Sequence, residues 1–190
     1  CFIQRFFYKI KFINIDIYDW HLKGTFYCRK YKINALEIIQ NLNPNIYIDI
    51  GCGLGEILTK VSLDEKFKIG FDTDKRLPAA HNLFNNLNFN FFSNQDYLFS
   101  YTKKINIKKD KLIILSALNF MQNFSTDELN EFIKKYFENL GEFILLIDSI
   151  YVKDKLYKYD HHNFLYNHKG LIKYYHKVDN LRSLYCIKID

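Results

Sequence analysis

Residues 46 to 55 read Ile-Tyr-Ile-Asp-Ile-Gly-Cys-Gly-Leu-Gly, a short β-branched run that ends in an acid and alternating glycines. Ile46, Tyr47, Ile48 and Ile50 suit a buried parallel strand, bounded by Asn-Pro-Asn before and by glycine after. In an open parallel sheet, ligands bind beyond the carboxyl ends of the strands. Gly51, Gly53 and Gly55 let the chain turn sharply there and approach a ligand with no Cβ in the way. A glycine-rich turn with no ligand is the plainer alternative, but a turn alone seldom needs three glycines.

The spacing discriminates between ligands. A dinucleotide fingerprint wants Gly or Ala three residues after its second glycine and sets a pyrophosphate on the following helix N-terminus. Glu56 occupies that position, and its carboxylate repels a pyrophosphate. The pattern acid-x-Gly-x-Gly-x-Gly instead resembles motif I of the class I S-adenosylmethionine-dependent methyltransferases, which Asp49, Gly51, Gly53 and Gly55 match position for position. The resemblance implies S-adenosyl-L-methionine as cofactor, a sulfonium that carries an ammonium and a single carboxylate. It also implies an α/β fold: a Rossmann-like, doubly wound, seven-stranded and mostly parallel sheet that finishes in a C-terminal antiparallel hairpin.

The bounds agree with one such domain. A chain of 190 residues is large enough for a real core, and 48% hydrophobic with 25% charged residues is globular rather than disordered. The net charge of +6 lies in the flanks, residues 1–45 and 151–190, while 46–150 are slightly acidic. Basic flanks over an acceptor site favour an anionic acceptor such as a phosphorylated sugar or RNA; lysines scattered for solubility are the alternative, and the Lys-, Asn- and Ile-rich composition is also what AT-rich coding yields. Cys1, Cys28, Cys52 and Cys186 are too dispersed for a disulfide framework or a zinc site, which favours a reduced, cytoplasmic setting. No uninterrupted apolar run reaches the ~20 residues of a transmembrane helix. Ile3, Phe7, Ile10, Ile13 and Ile17 recur at helical spacing, suited to packing on the sheet or, less readily, to peripheral contact with a membrane.

Further residues take roles through the resemblance. Residues 1–33 correspond to an N-terminal segment that folds over the cofactor as a lid, and 34–190 to the cofactor-binding domain. Within that segment Tyr27 and Arg29 are placed to contact the methionine moiety, the guanidinium meeting its carboxylate. Residues 34–42 form a helix before Pro44, and Glu56 to Ser62 a second one after the glycines. Phe67 to Phe71 is the second strand, and Asp72 beyond it resembles the motif II acid that accepts both ribose hydroxyls of an adenosine. Helix capping is the other use for that acid, though Asp74 is as well placed for it. After a third strand at Phe89 to Phe92, Asp96 and Tyr97 match the residues that bond and cover the adenine. Leu112 to Leu115 forms the fourth strand, with Ser116 beyond it at the cofactor edge. Leu129, Phe132, Ile133, Tyr136, Phe137 and Leu140 mark the apolar face of the next helix, Phe143 to Ile147 the fifth strand, and 171–178 with 182–189 the closing hairpin around Asp179-Asn180.

The acceptor is constrained by what is missing. Ser116-Ala117-Leu118-Asn119-Phe120 lacks the Asn-Pro-Pro-aromatic signature of amino-methylating nucleic-acid enzymes, and neither Pro44 nor Pro78 adjoins a cysteine of the cytosine C5 type. A sugar or other small-molecule hydroxyl is then the favoured acceptor, with RNA, or a non-catalytic scaffold of the same fold, as alternatives. A hydroxyl acceptor needs a base titrating near the operating pH, which points to His161 or His162 in the loop after the fifth strand. No metal is expected, since these histidines and His168 follow no recognised ligand spacing.

Overall fold

A computed structural model of the chain describes residues 29–83, 88–105, 111–118, 126–150, 165–180 and 182–190. Helix α1, Lys30–Leu42, precedes strand β1, Ile46–Ile50; strand β2 is Lys68–Phe71 and helix α2 Leu77–Leu83. Then follow β3 at Asn90–Phe92, α3 at Gln95–Lys104, β4 at Ile113–Ala117 and α4 at Thr126–Leu140. The chain closes with β5 at Phe143–Ile150, β6 at Ile172–Lys177 and β7 at Arg182–Ile189.

The strands form one seven-stranded sheet in the order β3-β2-β1-β4-β5-β7-β6. The first five run parallel, and β7 pairs antiparallel with both β5 and β6. The order reverses at β1, between β2 and β4, which is the topological switch point where such sheets bind ligands. The sheet is the expected Rossmann-like, mostly parallel one with its antiparallel hairpin at the end.

Two apolar layers hold it. Ile46, Ile48 and Ile50 on one face of β1 pack with Leu115, Leu145, Ile187 and the α4 residues Ile133, Tyr136 and Leu140. Tyr47 on the other face packs with Tyr31, Ala35, Ile38 and Ile39 of α1 and with Leu146, Leu184 and Cys186. Each fully buried Ile contributes roughly 1.5–3 kcal/mol, so the central strand is fixed from both sides. Leu129 and Phe137 have side chains outside the described set.

Several boundaries differ from expectation. α1 starts at Lys30 rather than residue 34, because its buried stripe Tyr31, Ala35, Ile38, Ile39 begins a turn earlier; residues 30–33 therefore belong to this helix. It ends at Asn43 in the left-handed conformation (φ 49°) ahead of Pro44. The helix expected over Glu56 to Ser62 is reduced to a single short turn, Leu58–Lys60. Thr59 N–H and Oγ1 both donate to Gly55 O (2.9 and 3.0 Å), and the turn ends at Val61, which is already extended (ψ 131°). β4 and β5 run on to Ala117 and Ile150, beyond the expected ends. Among the described residues no helix is long and apolar enough to cross a membrane. Residues 1–28, including the stripe from Ile3 to Ile17, lie outside the described residues.

Candidate functional site

The glycine loop has the backbone that its sequence demands. Gly51, Gly53 and Gly55 have φ of 72°, 54° and 74°, where other residues are strained. A Cβ on Gly55 would lie 2.4 Å from Phe89 Cζ, so this glycine also lets the loop close against the segment entering β3. Gly70 on β2 does the same from below, where a Cβ would meet Leu58 Cδ1 at 2.8 Å and Cys52 Sγ at 2.9 Å. The loop is anchored on β2 by Gly51 N–H and Cys52 N–H, both donating to Phe71 O (2.8 and 3.1 Å).

Asp72 lies beyond β2 and is buried. Its Oδ2 accepts from Gly53 N–H (3.0 Å) and its Oδ1 from Asp74 N–H (3.0 Å). A carboxylate offers about four acceptor positions, so two remain for a ligand's hydroxyls. Capping falls to Asp74, whose Oδ1 accepts from Arg76 N–H (3.1 Å) while its carboxylate takes two bonds from the Arg76 guanidinium (2.8 and 2.9 Å).

Asp49 is paired in register with Gly70 on one side and Ser116 on the other. Ser116, expected at the cofactor edge, is fully buried: its Oγ donates to Asp49 Oδ1 (2.6 Å) and lies 2.7 Å from the Tyr47 hydroxyl. It reaches the site only through Asp49. Burial pushes the Asp49 carboxyl up to about 7, against the Ser116 hydrogen bond and the Lys32 charge, and Glu56 and Asp72 push the same way as burial. Three carboxylates thus converge on one glycine loop.

Lys32 forms an ion pair with Glu56 and brings the start of α1 to the loop. Arg29, half-buried, caps that helix through its carbonyl, which accepts from Lys32 N–H (2.8 Å) and Ile33 N–H (3.2 Å). Asp96 and Tyr97 are exposed in the first turn of α3, beyond the carboxyl end of β3, with their N–H groups bonded to Asn94 Oδ1 (2.8 and 3.3 Å). Tyr27, His161 and His162 lie outside the described residues.

Sequence reasoning missed two groups. The His81 ring lies 4.3 Å from the Phe91 ring, and its Nε2–H donates to Gly53 O (3.1 Å), clasping the loop from α2. Across the sheet, Arg182 at the start of β7 lies 3.2 Å from the buried Asp148 carboxylate and 3.9 Å above the Tyr31 ring, tying α1 to the β5–β7 end of the same edge. The signal for the second was an acid inside the apolar run Phe-Ile-Leu-Leu-Ile-Asp-Ser-Ile. A cleft between Ile39, Asn43, Pro44 and Leu63 opens near the opposite, amino-terminal end of β1 and contains none of the predicted residues.

No family model matches the chain, and no curated protein matches it in sequence. Solved structures do match it in fold. The methyltransferase domain of bacterial CtHen1 superposes with a TM-score of 0.59 at 12% identity, covering 84% of this chain and 98% of that one. The plantazolicin methyltransferase BpumL, solved with a triazolic desmethylPZN analog and SAH, gives 0.58 at 14% identity over 99% of this chain and 96% of its own. Magnesium protoporphyrin IX methyltransferase from Synechocystis PCC 6803, solved with SAM, gives 0.55 at 12% identity over 99% and 91%. The fold is that of the class I S-adenosylmethionine-dependent methyltransferases.

Proposed function

We propose that this chain is a methyltransferase that uses S-adenosyl-L-methionine and transfers its methyl group to a hydroxyl, that of a sugar or other small molecule. The observation that carries the reading is the set of carboxylates around the glycine loop. Asp49, Glu56 and Asp72 lie close enough for the last two to raise the Asp49 pKa; Lys32 pairs with Glu56, and the negative field that remains repels a pyrophosphate and attracts a cationic sulfonium and ammonium. The methyltransferase neighbours solved with SAM and SAH support the same cofactor.

The residues fit this group. Asp72 has acceptor capacity left for two ribose hydroxyls, the Asp49 carboxyl lies beside the loop, and Asp96 and Tyr97 are the proposed partners of an adenine. When bound, the cofactor supplies the activated methyl group and its own leaving group, so the chain's contribution is orientation. His161 or His162 is the proposed base for the acceptor proton.

The test supplies isotope-labelled S-adenosylmethionine with separate pools of sugars, phosphorylated sugars and RNA. Label in a sugar hydroxyl, lost in His161→Ala or His162→Ala, is the expected result. Label in RNA alone selects the second reading, which a likeness in fold to the small RNA methyltransferase HEN1 (TM-score 0.59, 14% identity) and the exposed basic strand described below favour. Cofactor binding with no label in any pool identifies a scaffold and rejects the enzyme.

A further inference from the structure

The far edge of the sheet carries a surface that the methyl-transfer site does not use. β6 is the edge strand, with β7 on one side and no described strand on the other. Among the described residues six large apolar or aromatic side chains are exposed, and four of them, Tyr166, Leu171, Tyr174 and Tyr175, fall within ten residues of chain. The exposure is far from marginal: Tyr166 is 68% and Tyr174 44% accessible.

Cations are interleaved with these rings. Lys169 Nζ sits 4.8 Å from the Tyr166 ring centroid, Lys173 flanks Tyr174, and Lys177 closes the strand. The Tyr174 and His176 rings are parallel within 4° with centroids 6.5 Å apart. No acid occurs from His161 to Val178, although the chain as a whole has 21 Asp and Glu against 27 Lys and Arg. Residues 75–95 are also free of acids, but 161–178 set Lys169, Lys173 and Lys177 among exposed rings.

Three occupants suit an open strand edge. A second copy pairing β6 to β6 would bring its lysines against their own counterparts, and the register shift between Ile172 and Tyr174 breaks the ladder it would need. A membrane surface wants a face that inserts aliphatic side chains, and of these four only Leu171 is aliphatic. Exposed rings with lysines at both ends of the strand match a polyanion whose units each present a π face.

We propose that the open edge at β6, with Tyr174 and His176 on one face, Lys177 on the other and Tyr166, Lys169 and Lys173 ahead of them in the chain, binds single-stranded nucleic acid. β6 runs parallel to β5, so Lys177 ends at the sheet edge that carries the glycine loop. Three strand spacings, about 14 Å, separate β6 from β4. A strand held on β6 therefore extends toward the proposed methyl-transfer site, and RNA, the second reading above, is the acceptor it would bring there. That last step rests on the proposed function; the binding does not.

The experiment measures fluorescence anisotropy of a labelled 20-nucleotide uridine RNA with the whole chain, from low to moderate salt. The wild type binds at low salt, with a log–log salt slope of about −2 for three lysines. Tyr166→Ala/Tyr174→Ala weakens binding about tenfold or more, and Lys169→Ala/Lys173→Ala/Lys177→Ala flattens the salt slope. Both variants keep the wild-type melting temperature and its rise with S-adenosylhomocysteine, which separates this proposal from the cofactor reading. RNA binding without a cofactor shift leaves the β6 edge standing and removes the methyltransferase; a cofactor shift without RNA binding does the reverse. Unchanged RNA affinity in both variants, or tighter binding to phosphatidylserine vesicles that the same variants abolish, overturns the proposal.

Discussion

The two ends of the sheet treat their polar groups in opposite ways. At the β1–β2 end, Asp49, Asp72 and Ser116 are buried and each is hydrogen-bonded to backbone or side chain. At the β7–β6 end, Tyr166, Tyr174 and Tyr175 are exposed. A buried polar group left unpaired costs about 1–3 kcal/mol, so the first end permits few substitutions. Exposed groups carry no such penalty, so the second end is free to be shaped by what it touches. Changes at the glycine loop should therefore move stability, and changes on β6 should move affinity alone.

The largest effect is expected from Gly55→Ala. Left-handed backbone with a Cβ and the clash with Phe89 together cost about 4 kcal/mol. Urea unfolding measures it, and adding Phe89→Ala should recover part of the loss; full additivity would break the packing argument. Next is Arg182→Met, which takes the guanidinium away from the buried Asp148 and the Tyr31 ring. A loss of about 3 kcal/mol is expected, and a loss below ~0.5 kcal/mol would show that this contact does not tie α1 to the sheet.

Asp49→Asn should act in the opposite direction and depend on pH. The carboxyl titrates near 4 in the unfolded chain and is pushed up to about 7 in the folded one, chiefly by burial. Its protonated form is the one the fold favours, so its contribution is complete below about pH 4 and is lost as pH rises through about 7. The amide variant should match the wild type at pH 4 and exceed it at pH 8, by up to about 4 kcal/mol. An equal difference at both pH values would contradict the burial account. The smallest effect belongs to the other end: Tyr174→Ala should change stability by no more than about 0.5 kcal/mol, and a larger loss would make that ring structural.

Legibility in the sequence follows the same division. β1 and the loop were readable because their residue types are dictated by backbone: positive φ at three glycines and burial on both faces of the strand. Asp72 was readable because it ends a strand next to them. Ser116 was placed at the cofactor edge, while the register of β1 against β4 puts it under Asp49, a relation 67 residues apart that no local pattern encodes. Asp148, Arg182 and Tyr31 meet for the same kind of reason, through the antiparallel pairing of β5 with β7 and the packing of α1. The helix-forming residues after the loop point to a longer helix than the single turn found, which ends where Val61 becomes extended. The lysines and tyrosines of residues 166–177 look like general composition until the topology makes β6 the edge.

The central claim is that the carboxylate-ringed glycine loop holds an S-adenosylmethionine-type cofactor, and a thermal melt tests it most directly. Wild type and Asp72→Ala are each melted alone, with S-adenosylhomocysteine and with NAD. At about 100 times its dissociation constant a ligand stabilises the native state by roughly 2.7 kcal/mol, about 5–10 °C for a domain of this size. The account predicts that rise with S-adenosylhomocysteine only, and a much smaller one in Asp72→Ala. A rise with NAD, or no rise with S-adenosylhomocysteine at saturating concentration, would contradict it.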